Sequence, residues 1–186
     1  MIRKNPSGDL PVISPDAFVD PTAIICGKVI IEQNVFVGPY VVIRADEVDS
    51  NGEMQPIVIG HDSNLQDGVV IHSKDGAAVN IGARTSIAHR SIVHGPCSVG
   101  DDVFIGFSSV VFNTHIGDRC VIRHNCVVDS LDLPEQFHVP PMTNIGPGFN
   151  LNSIEKVPPK YSEFSESVVT ANNMLVQGYK KRSNEF

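Results

Sequence analysis

The most regular feature of the sequence is an aliphatic residue that recurs every six positions. Two insertions and two single-residue deletions interrupt the spacing, which resumes after each of them. Twenty-one positions follow the pattern: Ile13, Val19, Ile25, Ile31, Val37, Ile43, Ile59, Leu65, Ile71, Ile81, Ile87, Val93, Val99, Ile105, Val111, Ile116, Ile122, Val128, Leu133, Val139 and Ile145. A small or apolar residue precedes most of them by two positions, so both side chains point inward from a short strand. The pattern predicts short strands separated by turns.

A six-residue period with inward alternation is typical of a parallel β-helix, in which three strands and three turns form one triangular coil. Grouped in threes, the repeats give about seven coils. Beyond Pro158 and Pro159 the apolar spacing changes to three and four residues, which predicts an amphipathic helix from about 165 to 182 that packs on the prism. Its apolar positions are Val168, Ala171, Leu175, Val169, Val176 and Tyr179. We expect an all-β domain over residues 1–157, followed by a linker and a C-terminal helix over residues 158–186.

Composition supports a β-rich body and excludes several partners. The chain has 43 Val plus Ile but only six Leu, and β-branched side chains favour strands. A formal net charge of -7 argues against nucleic-acid and anionic-membrane binding. We expect a cytoplasmic protein, because the sequence shows neither a signal-peptide pattern nor the roughly 18 consecutive apolar residues of a spanning helix. The four cysteines have no CxxC spacing, so we expect reduced structural thiols.

The repeat also places the histidines. His72 and His94 each follow the third aliphatic residue of a coil, so they occupy the same corner on adjacent coils, about 4.8 Å apart. Two imidazoles at that spacing can share a metal ion with metal–nitrogen bonds of about 2.0–2.1 Å. Arg44 belongs to the same column, one coil lower. Both insertions, 46–56 and 73–78, emerge from this corner.

His89 occupies a different corner of the coil that carries His94. A full side of the prism, on the order of 15 Å, separates the two, so His89 cannot complete a metal site within one chain. It can do so from a neighbouring subunit, and a head-to-tail contact that closes on itself gives a ring, the smallest being a trimer. We interpret the other four histidines as ordinary surface or structural residues: His61, His115, His124 and His138.

Three segments, 43–47, 63–72 and 88–96, resemble the gamma-class carbonic anhydrases in both sequence and spacing. The resemblance extends from about residue 18 to residue 179 and combines three histidines with Arg-x-Asp and Asn-x-Gln-Asp motifs. It implies a left-handed β-helix with a C-terminal helix. Connections between parallel strands are usually right-handed, so the left-handedness rests on the resemblance alone. The resemblance also implies a homotrimer with metal at each interface, held by His72 and His94 of one subunit and His89 of the next.

The resemblance further implies reversible hydration of CO2 to bicarbonate by a metal-bound hydroxide. Gln66 is then expected to orient the hydroxide, and Glu47 to lie near the metal in the substrate pocket. Arg44 and Asp46 match an intersubunit ion pair of the family, and Asn172 matches a position where the C-terminal helix reaches the pocket. The metal is expected to be Zn²⁺, although imidazole ligands also suit Fe²⁺ and Co²⁺.

The sequence departs from the best-known members of the family at the insertion 73–78, which is short and lacks their acidic proton-shuttle loop. It therefore resembles a short-loop branch in which activity varies. The other insertion is longer than usual, and we hypothesise that its Glu53 or Asp49 replaces the shuttle. Two alternatives remain open: a metal-binding scaffold or assembly subunit, and a hexapeptide acyltransferase with one general-base histidine and no metal.

Overall fold

The chain forms a triangular prism whose three faces are parallel β-sheets. The computed structural model describes residues 1–153 and 155–183, and the last three residues of the predicted C-terminal segment, 184–186, lie outside the described residues. Face A contains β1 (Ile2–Arg3), β4 (Ile24–Gly27), β7 (Val42–Ala45), β10 (Val70–Ser73), β13 (Ile92–Gly95), β16 (Val110–Phe112), β19 (Val127–Asp129) and β21 (Asn144–Ile145). Face B contains β2 (Val12–Ile13), β5 (Val29–Ile31), β8 (Ile57–Ile59), β11 (Val79–Ile81), β14 (Cys97–Val99) and β17 (His115–Ile116). Face C contains β3 (Phe18–Val19), β6 (Phe36–Val37), β9 (Asn64–Leu65), β12 (Ser86–Ile87), β15 (Phe104–Ile105), β18 (Val121–Ile122) and β20 (His138–Val139).

The chain passes repeatedly from face B to face C to face A, turning at the BC, CA and AB corners. The predicted aliphatic positions pair in register from coil to coil; on face A the ladder is Ile25, Ile43, Ile71, Val93, Val111, Val128 and Ile145. All but Ile13 and Val19, which belong to the first coil, are buried. The fold is therefore a left-handed parallel β-helix of about seven coils, as predicted.

The small polar residues inside the prism satisfy their own hydrogen bonds. Ser63, Thr85 and Ser91 each donate a hydroxyl hydrogen to a carbonyl of the next coil, at 2.7–2.8 Å. All four cysteines are buried and free. Burial raises the pKa of the Cys97 and Cys120 thiols to about 11, which makes them unreactive structural groups.

A long helix, α1 (Pro159–Ser183), covers face C. It begins earlier than predicted, after a short 3₁₀ turn at Leu151–Ser153. The helix runs from the last coils, where Tyr161 stacks on His138, back to the first coil, where Tyr179 stacks on Phe18. Among the residues described, no helix has the length and apolar character needed to cross a membrane.

The predicted apolar positions of the helix meet the prism only in part. Ala171 is exposed and Leu175 is 44% exposed, whereas Ser165, Asn172 and Val176 are buried. The difference arises because the outer surface of face C is itself partly polar: Asn64 and Ser86 lie there, buried and hydrogen-bonded to each other. A helix on such a surface buries small and polar side chains beside its apolar ones.

Candidate metal centre

His72 and His94 lie side by side at the AB corner. They are the last outward-facing residues of β10 and β13, and they pair directly in register. Arg44 pairs with His72 from the coil below. The imidazole centroids are 5.1 Å apart, and His72 Nδ1 lies 3.2 Å from His94 Nε2. The regular stacking of the coils thus brings two imidazole nitrogens together.

The separation of these nitrogens suits a shared metal ion. Two metal–nitrogen bonds of about 2.0–2.1 Å at a tetrahedral angle place their nitrogens roughly 3.3 Å apart. The Gly95 carbonyl lies 3.0 Å from His94 Nδ1, where it accepts the hydrogen of that nitrogen and leaves the lone pair of Nε2 directed at His72. Burial, assisted by the charge of Arg44, lowers the pKa of His72, which favours the neutral imidazole that metals bind.

Charged side chains surround the far nitrogen of His72. Its Nε2 atom lies 3.3 Å from Asp46 Oδ1, 3.5 Å from Glu47 Oε1 and 3.2 Å from Arg44 Nη2. Arg44 and Asp46 approach each other to 3.6 Å within one chain. In the described part of the chain, Asp46 Oδ1 is buried without a hydrogen-bond partner. A buried carboxylate oxygen is costly when unsatisfied, and His72 Nε2, 3.3 Å away, is placed to compensate it, because Nε2 carries the hydrogen when Nδ1 offers its lone pair.

His89 lies at the CA corner, between β12 and β13, at the opposite edge of face A. Its side chain is 48% exposed; Nδ1 lies 3.8 Å from Asp67 Oδ2, and the ring lies 5.3 Å from that of Phe107. A surface cavity of about 390 Å³ opens beside it. Within residues 1–153 and 155–183, no three His, Cys, Asp or Glu side chains converge to hold a metal. One chain therefore presents two candidate ligands at one corner and one candidate ligand at another.

Gln66 and Asn172 lie on the His89 side of the prism rather than beside His72. Gln66 follows β9 and is buried, and its Nε2 donates to Asn64 Oδ1 at 3.0 Å. Asn64 in turn donates to Ser86 Oγ at 2.7 Å. Asn172 is buried in α1, where its Nδ2 donates to the Val168 carbonyl. Sequence reasoning missed Asn64 and Ser86 as supports of Gln66; their equivalent outward positions on adjacent coils are the signal that could have identified them.

The two insertions pack on each other at the AB corner. Gln55 N donates to the Gly76 carbonyl at 2.7 Å, and Gly76 N donates to the Glu47 carbonyl at 3.0 Å. Asp49 Oδ1 accepts hydrogen bonds from the backbone of Glu53 and Asn51, which lowers the pKa of Asp49. Among the described residues, the hydrogen bonds of this carboxylate all lie within its own loop, so its evident role is to shape that loop.

Glu53, the second candidate for a proton shuttle, borders a different cavity. This cavity has a volume of about 360 Å³ and is also lined by Ser7, Asp9 and Lys28 from the first coils. The longer insertion therefore folds toward the N-terminal end of the prism.

The comparisons with known proteins match both the repeat and nearly the whole chain. The family model for bacterial transferase hexapeptides (six repeats) matches residues 11–45, and the model for the hexapeptide repeat of succinyl-transferase matches residues 96–130. A carbonic anhydrase from Methanosarcina thermophila is 36% identical over 96% of this chain and 78% of its own length. The chain belongs to the gamma-class carbonic anhydrase family.

Other members of this carbonic anhydrase-like group are also similar. The carboxysome assembly protein CcmM from Nostoc is 34% identical over 90% of this chain, which spans 31% of that relative. A solved structure of a hexapeptide transferase family protein from Anaplasma phagocytophilum superposes with a TM-score of 0.80 at 20% identity, covering 96% of this chain and 98% of that chain. A putative acetyltransferase from Bacillus cereus gives 0.80 at 21% identity, with 97% of each chain covered. At such identities these two structures support the fold alone.

Proposed function

We propose that this protein is a cytoplasmic homotrimer that uses one metal ion at each subunit interface for the reversible hydration of CO2 to bicarbonate. His72 and His94 of one subunit and the partner subunit's His89 hold the metal, with Zn²⁺ as the first candidate and Fe²⁺ or Co²⁺ as alternatives. The pair of nitrogens 3.2 Å apart, with one more histidine on the opposite edge of the same face, carries the proposal. Four free cysteines are in keeping with a reducing compartment.

The rise of the chain along the prism axis supports the proposed position of His89 at the metal site. Each coil rises about 4.8 Å over three sides, so the CA corner lies about 1.6 Å below the AB corner that follows it. His89 therefore lies, in height, between His94 of its own coil and His72 of the coil below. Rotation about a threefold axis parallel to the prism changes no height. A partner's His89 consequently arrives between the two histidines.

The outer surface of face A supports a threefold contact. One β-branched side chain per coil faces outward there, in register: Ile24, Val42, Val70, Ile92, Val110 and Val127. Helix α1 covers face C, and the later coils of face B present Asn80, Ser98 and His115 instead. An uncovered apolar column of this kind is suited to association with a second copy, because burial removes it from water.

The chain's own residues have separable roles in the proposed reaction. The metal, when bound, supplies Lewis acidity that lowers the pKa of a water ligand toward 7. The amide of Gln66 is fixed by Asn64, leaving its Oε1 free to accept a hydrogen bond from the reacting water. The Glu47 carboxylate is half-exposed beside His72 and can pass a proton outward from Oε1. Arg44 and Asp46 order the AB corner that carries Glu47. In the proposed site, Asn172 borders the substrate pocket from α1.

The direct test is CO2 hydration measured on protein prepared anaerobically with iron and, separately, with zinc, beside the metal content per trimer. Activity that depends on the loaded metal supports the proposal. Full metal occupancy without hydration in either preparation would contradict it.

That contradictory result would favour a second candidate, a metal-binding scaffold or assembly subunit. The short insertion 73–78 and the similarity to carboxysome assembly proteins favour this candidate. Absence of metal together with acyl-CoA binding would instead favour a hexapeptide acyltransferase.

A further inference from the structure

Two columns of side chains continue above the proposed metal centre, one on each edge of face A. The CA column rises from His89 to Phe107 and His124. The AB column rises in register from His94 to Phe112 and Asp129. Five residues separate the paired positions in each coil, 89 from 94, 107 from 112 and 124 from 129. In each of the two higher coils, the CA position is therefore related to the AB position as His89 is to His94.

An aromatic ring lies directly above the proposed ligand in both columns. Phe107 lies 5.3 Å from the ring of His89, and Phe112 lies 5.3 Å from the ring of His94. Phe107 is 43% exposed although it is a large apolar side chain. The two edges therefore present one ring each at the same level of the prism.

His124 is held as a directed hydrogen-bond donor. The backbone N–H of Phe107 donates to His124 Nδ1 at 3.0 Å, and the two rings stack with centroids 4.3 Å apart. Because Nδ1 is the acceptor, the neutral ring carries its hydrogen on Nε2. Within the described ranges, this Nε2–H has no acceptor.

Asp129 offers the complementary group at the same level. It ends β19 at the AB corner and is exposed, and its Oδ1 accepts a hydrogen bond from the hydroxyl of Ser130 at 2.7 Å. It forms no ion pair with any residue of 1–153 or 155–183. Among residues 1–153 and 155–183, this anionic acceptor therefore has no cationic or N–H partner, just as His124 has no acceptor.

We propose that a second copy of this chain places its His124 against Asp129 and its Phe107 against Phe112, forming a latch above each interfacial metal. The proposal rests on the trimer of the proposed function. Because a CA corner lies about 1.6 Å below the AB corner that follows it, the partner's Phe107 lies between His94 and Phe112 in height along the prism, and the partner's His124 lies between Phe112 and Asp129. Apolar groups then meet apolar groups, and the donor meets the carboxylate.

Charge reversal tests the polar half of the latch on the full-length, metal-loaded protein. His124→Glu should raise the trimer dissociation constant by about tenfold or more, because two carboxylates then face each other. Asp129→Lys should have a similar effect, because it replaces the acceptor of the His124 Nε2–H with a second donor. The double variant should recover most of the affinity. Glu163→Lys, the same change of charge on the exposed side of α1, is the matched control and should leave the constant unchanged.

Cross-linking tests the same contact independently of affinity. A chain carrying both His124→Cys and Asp129→Cys should form covalent trimers on mild oxidation, because the two positions are a full prism side apart in one chain but adjacent across the interface. A chain carrying Glu163→Cys and Asp129→Cys should remain monomeric on a denaturing gel. Trimer in sedimentation without cross-linking or charge effects would overturn the latch while leaving the proposed function intact. If sedimentation found only monomers although metal is present, both the latch and the proposed function would be overturned.

Discussion

Gly82 illustrates how closely adjacent coils approach at single positions. A Cβ atom at this residue would lie 2.5 Å from the Gly100 carbonyl of the next coil. Gly82→Ala should therefore destabilise the protein by about 1–3 kcal/mol through steric overlap. Gly178→Ala is the control, because that residue is exposed in α1 with open space around its Cβ; it should stabilise by about 0.5–1 kcal/mol. Urea denaturation measures both, and equal effects would contradict the packing described.

The buried thiols give a second prediction for single residues. Burial raises the pKa of Cys97 and Cys120 to about 11, and the thiolate is the reactive form. At pH 8 the native protein should show almost no alkylation at these residues, whereas denatured protein should be modified at all four cysteines. Mass spectrometry after iodoacetamide treatment checks this, and rapid native modification at Cys97 or Cys120 would count against their placement in the core.

Single positions inside the coil were predictable because one period fixes them all. The spacing alone placed His72 and His94 in one column and His89 on another edge. It could not indicate the carbonyl of Gly95 beside His94 or the support of Gln66 by Asn64, since these depend on side-chain rotamers and local turns. The proposed role of each residue remains a prediction.

At the scale of elements, α1 stabilises the prism chiefly through one buried stripe. Val176 is fully buried against face C, whereas Met174 is 70% exposed on the same helix. Val176→Ala should cost about 2 kcal/mol, and Met174→Ala less than about 0.5 kcal/mol. Thermal unfolding of the two variants checks this difference. A Met174 variant as unstable as the Val176 variant would mean that the helix docks by another face.

Element boundaries were less predictable than coil positions. The period identified every face of the prism, because burial of one aliphatic residue per side dominates the pattern. The predicted inward positions Ala171 and Leu175 of α1 were wrong, whereas Val176 is buried as expected, because the partly polar outer surface of face C is met by small and polar residues of the helix as well as by apolar ones. The two insertions carry no period, so their mutual hydrogen bonds and the return of the longer one toward Lys28 could not be predicted.

For the whole molecule, the proposed trimer predicts that face A differs from face B. Ile92 on face A and Ile30 on face B are equally exposed, at 38% and 37%. Ile92→Asp should dissociate the trimer by placing a charge at an apolar contact, and Ile30→Asp should leave it assembled. Sedimentation velocity at micromolar concentration distinguishes them. Dissociation by Ile30→Asp alone would mean that subunits meet through the other face.

The central claim is that each metal is shared between two chains, and complementation in mixed trimers tests it most directly. A His89→Ala chain and a His72→Ala/His94→Ala chain should each bind no metal alone. When the two chains are refolded together in equal amounts, about three-quarters of the trimers contain both chains. Each mixed trimer regains one intact site. The mixture should then bind about one quarter of the wild-type metal. Tight metal binding by His89→Ala alone, or none in the mixture, would contradict the shared site.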